Sequence, residues 1–283
     1  MNIVLTGASG LFGSSLAALA RRRGIDCLPL ARQGLLSMAT RLPVDLRANT
    51  VLVHAAASTD VEANERDPAA CYRDNLLLTE QLARRAARAG CRMVFISSTG
   101  VYGQGQADPH DEFSATRPTT HHHRSKLLAE RAVLRHCPDA LVLRTGWLFG
   151  GSAEHPKNFV ARRIAEARAA GSGALHSNPR QQGNPTAADD LAERLLMLLQ
   201  GDGGGVFNAV NTGHASRQDY VREIVRLCGL PAVVEATDPA SFQRVARVSD
   251  NEMAVNLKSS LLGLPPMPHW HDSLARCVAT LLA

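Results

Sequence analysis

The chain opens on an apolar run, Ile3-Val4-Leu5, which breaks into small residues and resumes with Phe12, Leu16, Leu19 and Ala20 at i, i+4, i+7 and i+8. That is the spacing of one buried helix face, so the pattern predicts strand, tight turn, helix. Arg21-Arg22-Arg23 closes the helix where cations suit the dipole, and Gly24 supplies the cap. Cys27-Leu28-Pro29-Leu30 predicts a second strand, and Val51-Leu52-Val53-His54 a buried third that runs into Ala55-Ala56-Ala57. A helix is expected from Ala69 to Ala89, with Tyr72, Leu76, Ala83 and Ala86 on one side and Gly90 as its stop. The strand Met93-Val94-Phe95-Ile96 follows, then a polar loop from Gln104 to Thr120, a helix carrying Lys126, Leu127, Glu130, Val133 and Leu134, and the strand Ala140-Leu141-Val142-Leu143. Strands and helices thus alternate to about residue 150, which implies a parallel sheet with right-handed crossovers.

Beyond residue 150 the pattern loosens. An amphipathic helix covers 158–170, and Gly171-Ser172-Gly173 starts an irregular stretch up to Thr186. A helix at 187–200 and a strand Val206-Phe207-Asn208-Ala209 read as a return to the sheet. Ser216 opens a helix at 217–228, a strand lies near Val233-Val234, and a last helix starts at about Asp272. Residues 1–150 and 183–212 are therefore expected to form an α/β, Rossmann-type doubly wound parallel sheet that binds a dinucleotide. Residues 151–182 and 213–283 are expected to form a smaller, discontinuous substrate-binding lobe. No internal repeat is present.

Composition narrows the partners. With 283 residues, 45% of them apolar, the chain can bury a full core. No apolar run approaches the ~18 residues a membrane span needs, and the chain enters a strand directly, so no membrane contact and a cytoplasmic location are expected. Cys27, Cys71, Cys91, Cys137, Cys228 and Cys277 are scattered without a C-x-x-C, which reads as free thiols. The net charge is +5, but basic residues are spread along helices and not interleaved with aromatics, which favours an anionic small molecule over nucleic acid. Of 31 basic residues only Lys126, Lys157 and Lys258 are lysine. Where arginine is so preferred, a retained lysine suggests a place for a compact ammonium.

The first turn carries Gly7, Gly10 and Gly13 in the spacing G-x-x-G-x-x-G, after a strand and before a helix. Gly7 would make the turn, Gly10 would permit close approach of a pyrophosphate, and Gly13 would let helix and strand pack, with the N–H groups around Leu11 and Phe12 facing the anion. Arg32, at the end of the second strand, stands where a carboxylate would read a ribose 2′-hydroxyl, so NADP is expected in preference to NAD. Asp45 and Leu46 would meet the adenine, and the small residues Ala55, Ala56 and Ala57 would let the cofactor lie across a strand tip. Ser97-Ser98-Thr99 places hydroxyls at a strand's carboxyl end, where open sheets hold their chemistry. His121, His122 and His123 cannot together ligate one ion, because neighbours on a helix point about 100° apart, and no metal is expected.

These residues resemble the extended short-chain dehydrogenase/reductase superfamily. The likeness rests on Thr6 to Gly13, His54-Ala55-Ala56-Ala57, Asn75, Ser97 to Gly103 and Arg124-Ser125-Lys126-Leu127-Leu128-Ala129-Glu130. Leu143 to Gly150, Lys157-Asn158-Phe159-Val160, Gln181 to Thr186 and His269 to Leu274 are similar to its dTDP-4-dehydrorhamnose reductase and epimerase branch. The resemblance implies a hydroxyl, a tyrosine and a lysine four residues after the tyrosine as the catalytic set. Ser98 and Lys126 match, but the tyrosine position holds His122. Imidazole can donate a proton, though repulsion by Lys126 should push its pKa below the usual ~6.5. Tyr102 is a second candidate acid.

The resemblance thus implies an NADP(H)-dependent ketoreductase acting on a nucleotide-linked sugar or similar carbonyl compound, with a homodimer possible. Two alternatives stay open on sequence. One is a pseudoenzyme or cofactor-binding regulatory subunit that lost the acid; the other is a lyase, dehydratase or epimerase-type activity with His122 as acid/base.

Overall fold

A computed structural model describes residues 1–30, 46–201, 203–237 and 244–283. In order come β1 (Asn2–Thr6), α1 (Leu11–Arg22), β2 (Asp26–Leu30), β3 (Thr50–His54), α2 (Val61–Arg66) and α3 (Pro68–Tyr72). A π turn at Arg73–Leu77 leads into α4 (Leu78–Ala89), then β4 (Arg92–Ser98), α5 (His121–His136) and β5 (Leu141–Thr145). The chain continues through β6 (Trp147–Phe149), α6 (Phe159–Ala170), β7 (Ala174–Ser177), β8 (Gln182–Gly183), β9 (Pro185–Ala187), α7 (Ala188–Leu199) and β10 (Gly205–Asn208). Last are β11 (Ala215–Ser216), α8 (Arg217–Leu227), β12 (Val233–Ala236), β13 (Asn251–Glu252), α9 (Leu257–Leu261) and α10 (Trp270–Leu282).

Six strands form one sheet in the order β10-β5-β4-β3-β1-β2, every neighbouring pair parallel. The order reverses at β1, which has β2 on one side and β3 on the other. A crevice therefore opens beyond the carboxyl ends of β1 and β3, the usual ligand position in such sheets.

Alternate side chains on the strands feed two apolar layers. Ile3 and Leu5 of β1 join Phe12, Leu16 and Leu19 of α1 and Leu191 and Leu195 of α7 on one face. Val4 points the other way, into a layer with Leu82 and Ala86 of α4 and Ala129 and Val133 of α5. Phe12, Leu16, Leu19 and Ala20, the positions picked out by periodicity, are all buried.

The expected helix over 69–89 is instead interrupted by the π turn, which rotates its phase. Asn75, Leu78, Thr79 and Leu82 turn inward, while Tyr72 and Leu76 are only half-buried. Thr79 Oγ1 donates to the Asn75 carbonyl at 2.6 Å. Side-chain bonding of this kind competes with the regular ladder, and the turn brings Asn75 to the edge of the crevice.

α5 is fixed to the sheet by a buried ion pair. Arg144 of β5 donates to both carboxylate oxygens of Glu130, the shorter bond 2.7 Å, and Ser97 Oγ of β4 donates to the same carboxylate at 2.5 Å. The short strands lie outside the main sheet: β11-β8-β13, β12-β7 and β6-β9. Trp147 and Phe149, expected within the first domain, instead pack in a separate core with Val160, Ile164, Tyr220 and Trp270.

Candidate active site

The three glycines of the first turn differ in what holds them. Gly7 has φ +72°, and a Cβ there would lie 2.7 Å from Ala56 N. A Cβ on Gly13 would run into the Gly7 carbonyl and approach Ala8 Cα at 2.8 Å. Gly10 is different: a Cβ there would meet only Gly7 O, at 3.3 Å, and otherwise open space. Packing therefore requires Gly7 and Gly13, whereas bareness at Gly10 serves whatever enters above it.

Gly10 is also the N-cap of α1, with no side-chain cap and no acidic residue in the first turn. The N–H groups at the start of the helix, at Leu11, Phe12 and Gly13, are thus available to an anion. Phe12 contributes only its backbone, since its ring is in the core, while Leu11 is half-buried at the crevice.

Ala55 N donates to Thr6 O and Ala56 N to Thr6 Oγ1, both at 3.3 Å, which ties the small-residue tip of β3 to that of β1. Ala57 is half-buried beyond them. Leu46 is also half-buried, against the layer under α4. Arg32 and Asp45 lie outside the described residues. The turn fits a dinucleotide pyrophosphate: its N–H groups are uncapped, and its middle glycine faces unfilled space.

Two strands from this turn, at the same edge of the sheet, β4 ends in Ser98, whose Oγ accepts Gly100 N–H at 3.1 Å and keeps its own hydrogen for a ligand. Lys126 comes from the second turn of α5, lies buried, and donates Nζ–H to Ile96 O of β4 at 2.6 Å. Burial lowers its pKa to about 8. His122 lies one turn earlier on α5, also buried, with Nδ1 3.2 Å from Asn64 Nδ2. Its pKa is well below the usual imidazole value. Burial is the main cause, followed by repulsion from His123 and Lys126. The lysine repulsion expected from sequence is present but secondary.

The three consecutive histidines face different neighbours. His121 Nδ1 is 3.2 Å from Tyr72 Oη, and its N–H donates to Glu65. His123 Nδ1 is 3.1 Å from Thr120 Oγ1, and its ring packs against Gly100.

Tyr102 does not serve as a second acid. It is fully buried and stacked on His110, and its hydroxyl donates to Asn208 Oδ1 at 2.7 Å. Burial pushes its pKa up to about 12. Counting from Ser98 places Tyr102 near the site in sequence, but its ring turns inward to brace β10.

Two groups escaped the sequence reading. Asn64 of α2 is polar yet buried and reaches His122, and nothing in Val-Glu-Ala-Asn-Glu-Arg marks it. In the second lobe, Trp147 Nε1 donates to Glu252 at 2.7 Å, and the Arg217 guanidinium lies 3.5 Å from the Trp147 ring centroid. Burial lowers the Arg217 pKa to about 10, which leaves it a cation at neutral pH.

Comparison with known proteins agrees with this fold. The family model described as RmlD substrate binding domain matches residues 1–283. A dTDP-4-dehydrorhamnose reductase of Mycobacterium tuberculosis is 36% identical, covering 98% of this chain and 92% of the relative. The crystal structure of a dTDP-4-dehydrorhamnose reductase from Clostridium acetobutylicum superposes with a TM-score of 0.91 at 26% identity, covering 100% of both chains. A Bacillus anthracis dTDP-4-dehydrorhamnose reductase in complex with NADP shares the fold at a TM-score of 0.89 and 22% identity, covering 99% of each chain. The match over its full length shows that the chain belongs to the RmlD substrate binding domain family, within the extended short-chain dehydrogenase/reductase superfamily.

Proposed function

We propose that this protein is an NADP(H)-dependent ketoreductase that reduces the keto group of a nucleotide-linked deoxysugar of the dTDP-4-dehydrorhamnose type. One juxtaposition carries the reading. The uncapped glycine turn and the set Ser98, His122 and Lys126 open on the same edge of the parallel sheet, at the carboxyl ends of β1 and β4. A bound dihydronicotinamide supplies the hydride. Leu11, Phe12 and Gly13 hold the pyrophosphate through backbone N–H groups, Gly10 stays bare to let it approach, Ala55, Ala56 and Ala57 give way to the adenosine side, and Arg32 takes the 2′-phosphate. Asp45 and Leu46 border the adenine.

Ser98 keeps the carbonyl oxygen in place with its free hydroxyl hydrogen. His122 stands in the phenol's position as a second donor to that oxygen, which gathers negative charge as reduction proceeds. Lys126 would hold the nicotinamide ribose and add positive charge to the site. In the second lobe, Arg217 against Trp147 supports an anionic, ring-bearing substrate such as a sugar nucleotide. The reductase names of the curated relatives favour reduction over the lyase or regulatory-subunit readings.

The test is consumption of NADPH with dTDP-4-dehydrorhamnose. Wild type is expected to turn over, and His122→Ala to lose on the order of 10²-fold or more in kcat with cofactor affinity retained. Arg32→Ala is expected to erase a preference for NADPH over NADH. An inactive wild type that gains reduction in His122→Tyr would overturn the proposal in favour of a chain that has lost its acid.

A further inference from the structure

The buried polar residues around His122 decide which of its nitrogens carries the proton. Asn64 Nδ2 donates one hydrogen to Ser58 O at 3.0 Å, and Asn64 Oδ1 accepts from Ser58 Oγ at 2.8 Å. A carbonyl only accepts, so these two bonds fix the amide: turning it over would set Oδ1 against the Ser58 carbonyl oxygen. The second hydrogen of Nδ2 is then left for His122 Nδ1, 3.2 Å away. Asn75 Nδ2 also donates to Ser58 O, at 3.1 Å, while Asn75 Oδ1 accepts Ser58 N–H at 2.8 Å. Both lone pairs of the Ser58 carbonyl are thereby engaged by amide hydrogens, so this carbonyl, which also faces the His122 ring and favours a proton there, is a weakened acceptor for an Nδ1–H.

We propose that Asn64 is a positioning residue that holds His122 neutral and protonated on Nε2, so that the ring acts as a hydrogen-bond donor to a carbonyl oxygen and not as a cationic acid. The inference rests on the reductase reading for its purpose but not for its chemistry. An imidazolium would bring an Nδ1–H against the Asn64 N–H. The charged and titratable groups around the ring act in the same sense. Lys126 and His123 on its own helix repel a positive ring, as does Lys157 from the segment before α6, whose Nζ donates to Thr59 Oγ1. Glu65 on α2 is the nearby carboxylate, and it is occupied by the His121 N–H. After hydride adds to the carbonyl carbon with its electron pair, the oxygen is an alkoxide bonded to Nε2–H, and it completes the alcohol by taking a proton from water.

The experiment uses full-length protein with ¹⁵N-labelled histidine, the His122 signals being assigned by their loss in His122→Gln. Wild type is expected to show Nδ1 unprotonated and Nε2 protonated across roughly pH 5 to 8, where an unperturbed histidine titrates. Asn64→Asp keeps the shape but replaces the N–H donor with a carboxylate. It is expected to move the His122 titration up by roughly 1–3 pH units and bring an imidazolium into that range. In kinetics, wild-type kcat should show no His122 limb, whereas Asn64→Asp gains one with KM unchanged. A residue that merely supported the fold would change neither the tautomer nor the profile.

Wild-type His122 protonated on Nδ1, or cationic at neutral pH, overturns the inference even if the enzyme reduces its substrate. Conversely, an inactive enzyme with the expected tautomer refutes the reductase reading alone. Should Asn64→Asp fail to fold, Asn64→Ala removes the Nδ2 donor and frees a lone pair of the Ser58 carbonyl, and it is expected to yield a mixture of tautomers. An unchanged single tautomer in that variant also overturns the inference.

Discussion

Adding one methyl group at Gly10 or at Gly13 separates binding from folding within a single turn. At Gly13 the new Cβ collides with the Gly7 carbonyl and sits 2.8 Å from Ala8 Cα, both backbone atoms. The helix must move off the strand, and overpacking of this kind costs about 1–3 kcal/mol. Unfolding entropy scales with length at ~2.1 cal/mol/K per residue, so for 283 residues 1 kcal/mol corresponds to about 2 °C in Tm. Gly13→Ala is therefore expected to melt about 2–6 °C below wild type.

At Gly10 the Cβ meets only Gly7 O, at 3.3 Å, and the backbone is extended with φ −78° and ψ 169°, which alanine adopts freely. Loss of glycine's N-cap preference and loss of its unfolded-state entropy each come to less than about 1 kcal/mol and oppose one another. Gly10→Ala should thus melt within about 2 °C of wild type. Its methyl group stands where a pyrophosphate would approach the N–H groups. Losing one charge-assisted bond of ~1.5–3 kcal/mol weakens NADPH by roughly tenfold to a hundredfold. Calorimetric titration and melting of both variants read the two effects separately. A Gly10→Ala protein that binds NADPH as wild type does, or one that melts as low as Gly13→Ala, would refute the reasoning.

Arg144→Met leaves Glu130 buried without its cation and should cost about 3–5 kcal/mol in denaturant unfolding. Adding Glu130→Gln should recover much of that loss, and a single variant as stable as wild type would contradict the role given to the pair. Tyr102→Phe should lose about 1–3 kcal/mol by stranding Asn208 Oδ1, while kcat stays at the wild-type value; a large fall in kcat would restore Tyr102 as an acid. Because burial lowers Lys126 to about 8, the unfolded chain holds a proton there that the folded chain has released at higher pH. Stability from this group should therefore rise as pH increases from about 8 toward the ordinary lysine value of ~10.4. Lys126→Met should flatten that part of the profile, and an unchanged slope would assign it elsewhere.

The sequence by itself determined the frame of this protein. Apolar periodicity located α1 and its buried face, and the alternation of strands and helices implied a parallel sheet. These properties depend on neighbours in the chain, where a period of 3.6 or 2 is visible directly. The glycine spacing was legible too, but the division of labour within it was not. Whether Gly10 or Gly13 is demanded by packing depends on Gly7, Ala8 and the space above the turn. Similarly, the count from Lys126 brought His122 to the acid's position, while the group that governs its proton, Asn64, lies 58 residues earlier on another helix. The π turn that swings Asn75 and Thr79 inward replaced the expected face of Tyr72 and Leu76. Tyr102, three residues beyond Thr99, was drawn into the core by Asn208 and His110. Proton placement and polar pairing inside a protein are set by whichever donors and acceptors folding brings within about 3 Å, and those partners are distant in sequence, so only the tertiary structure decided them.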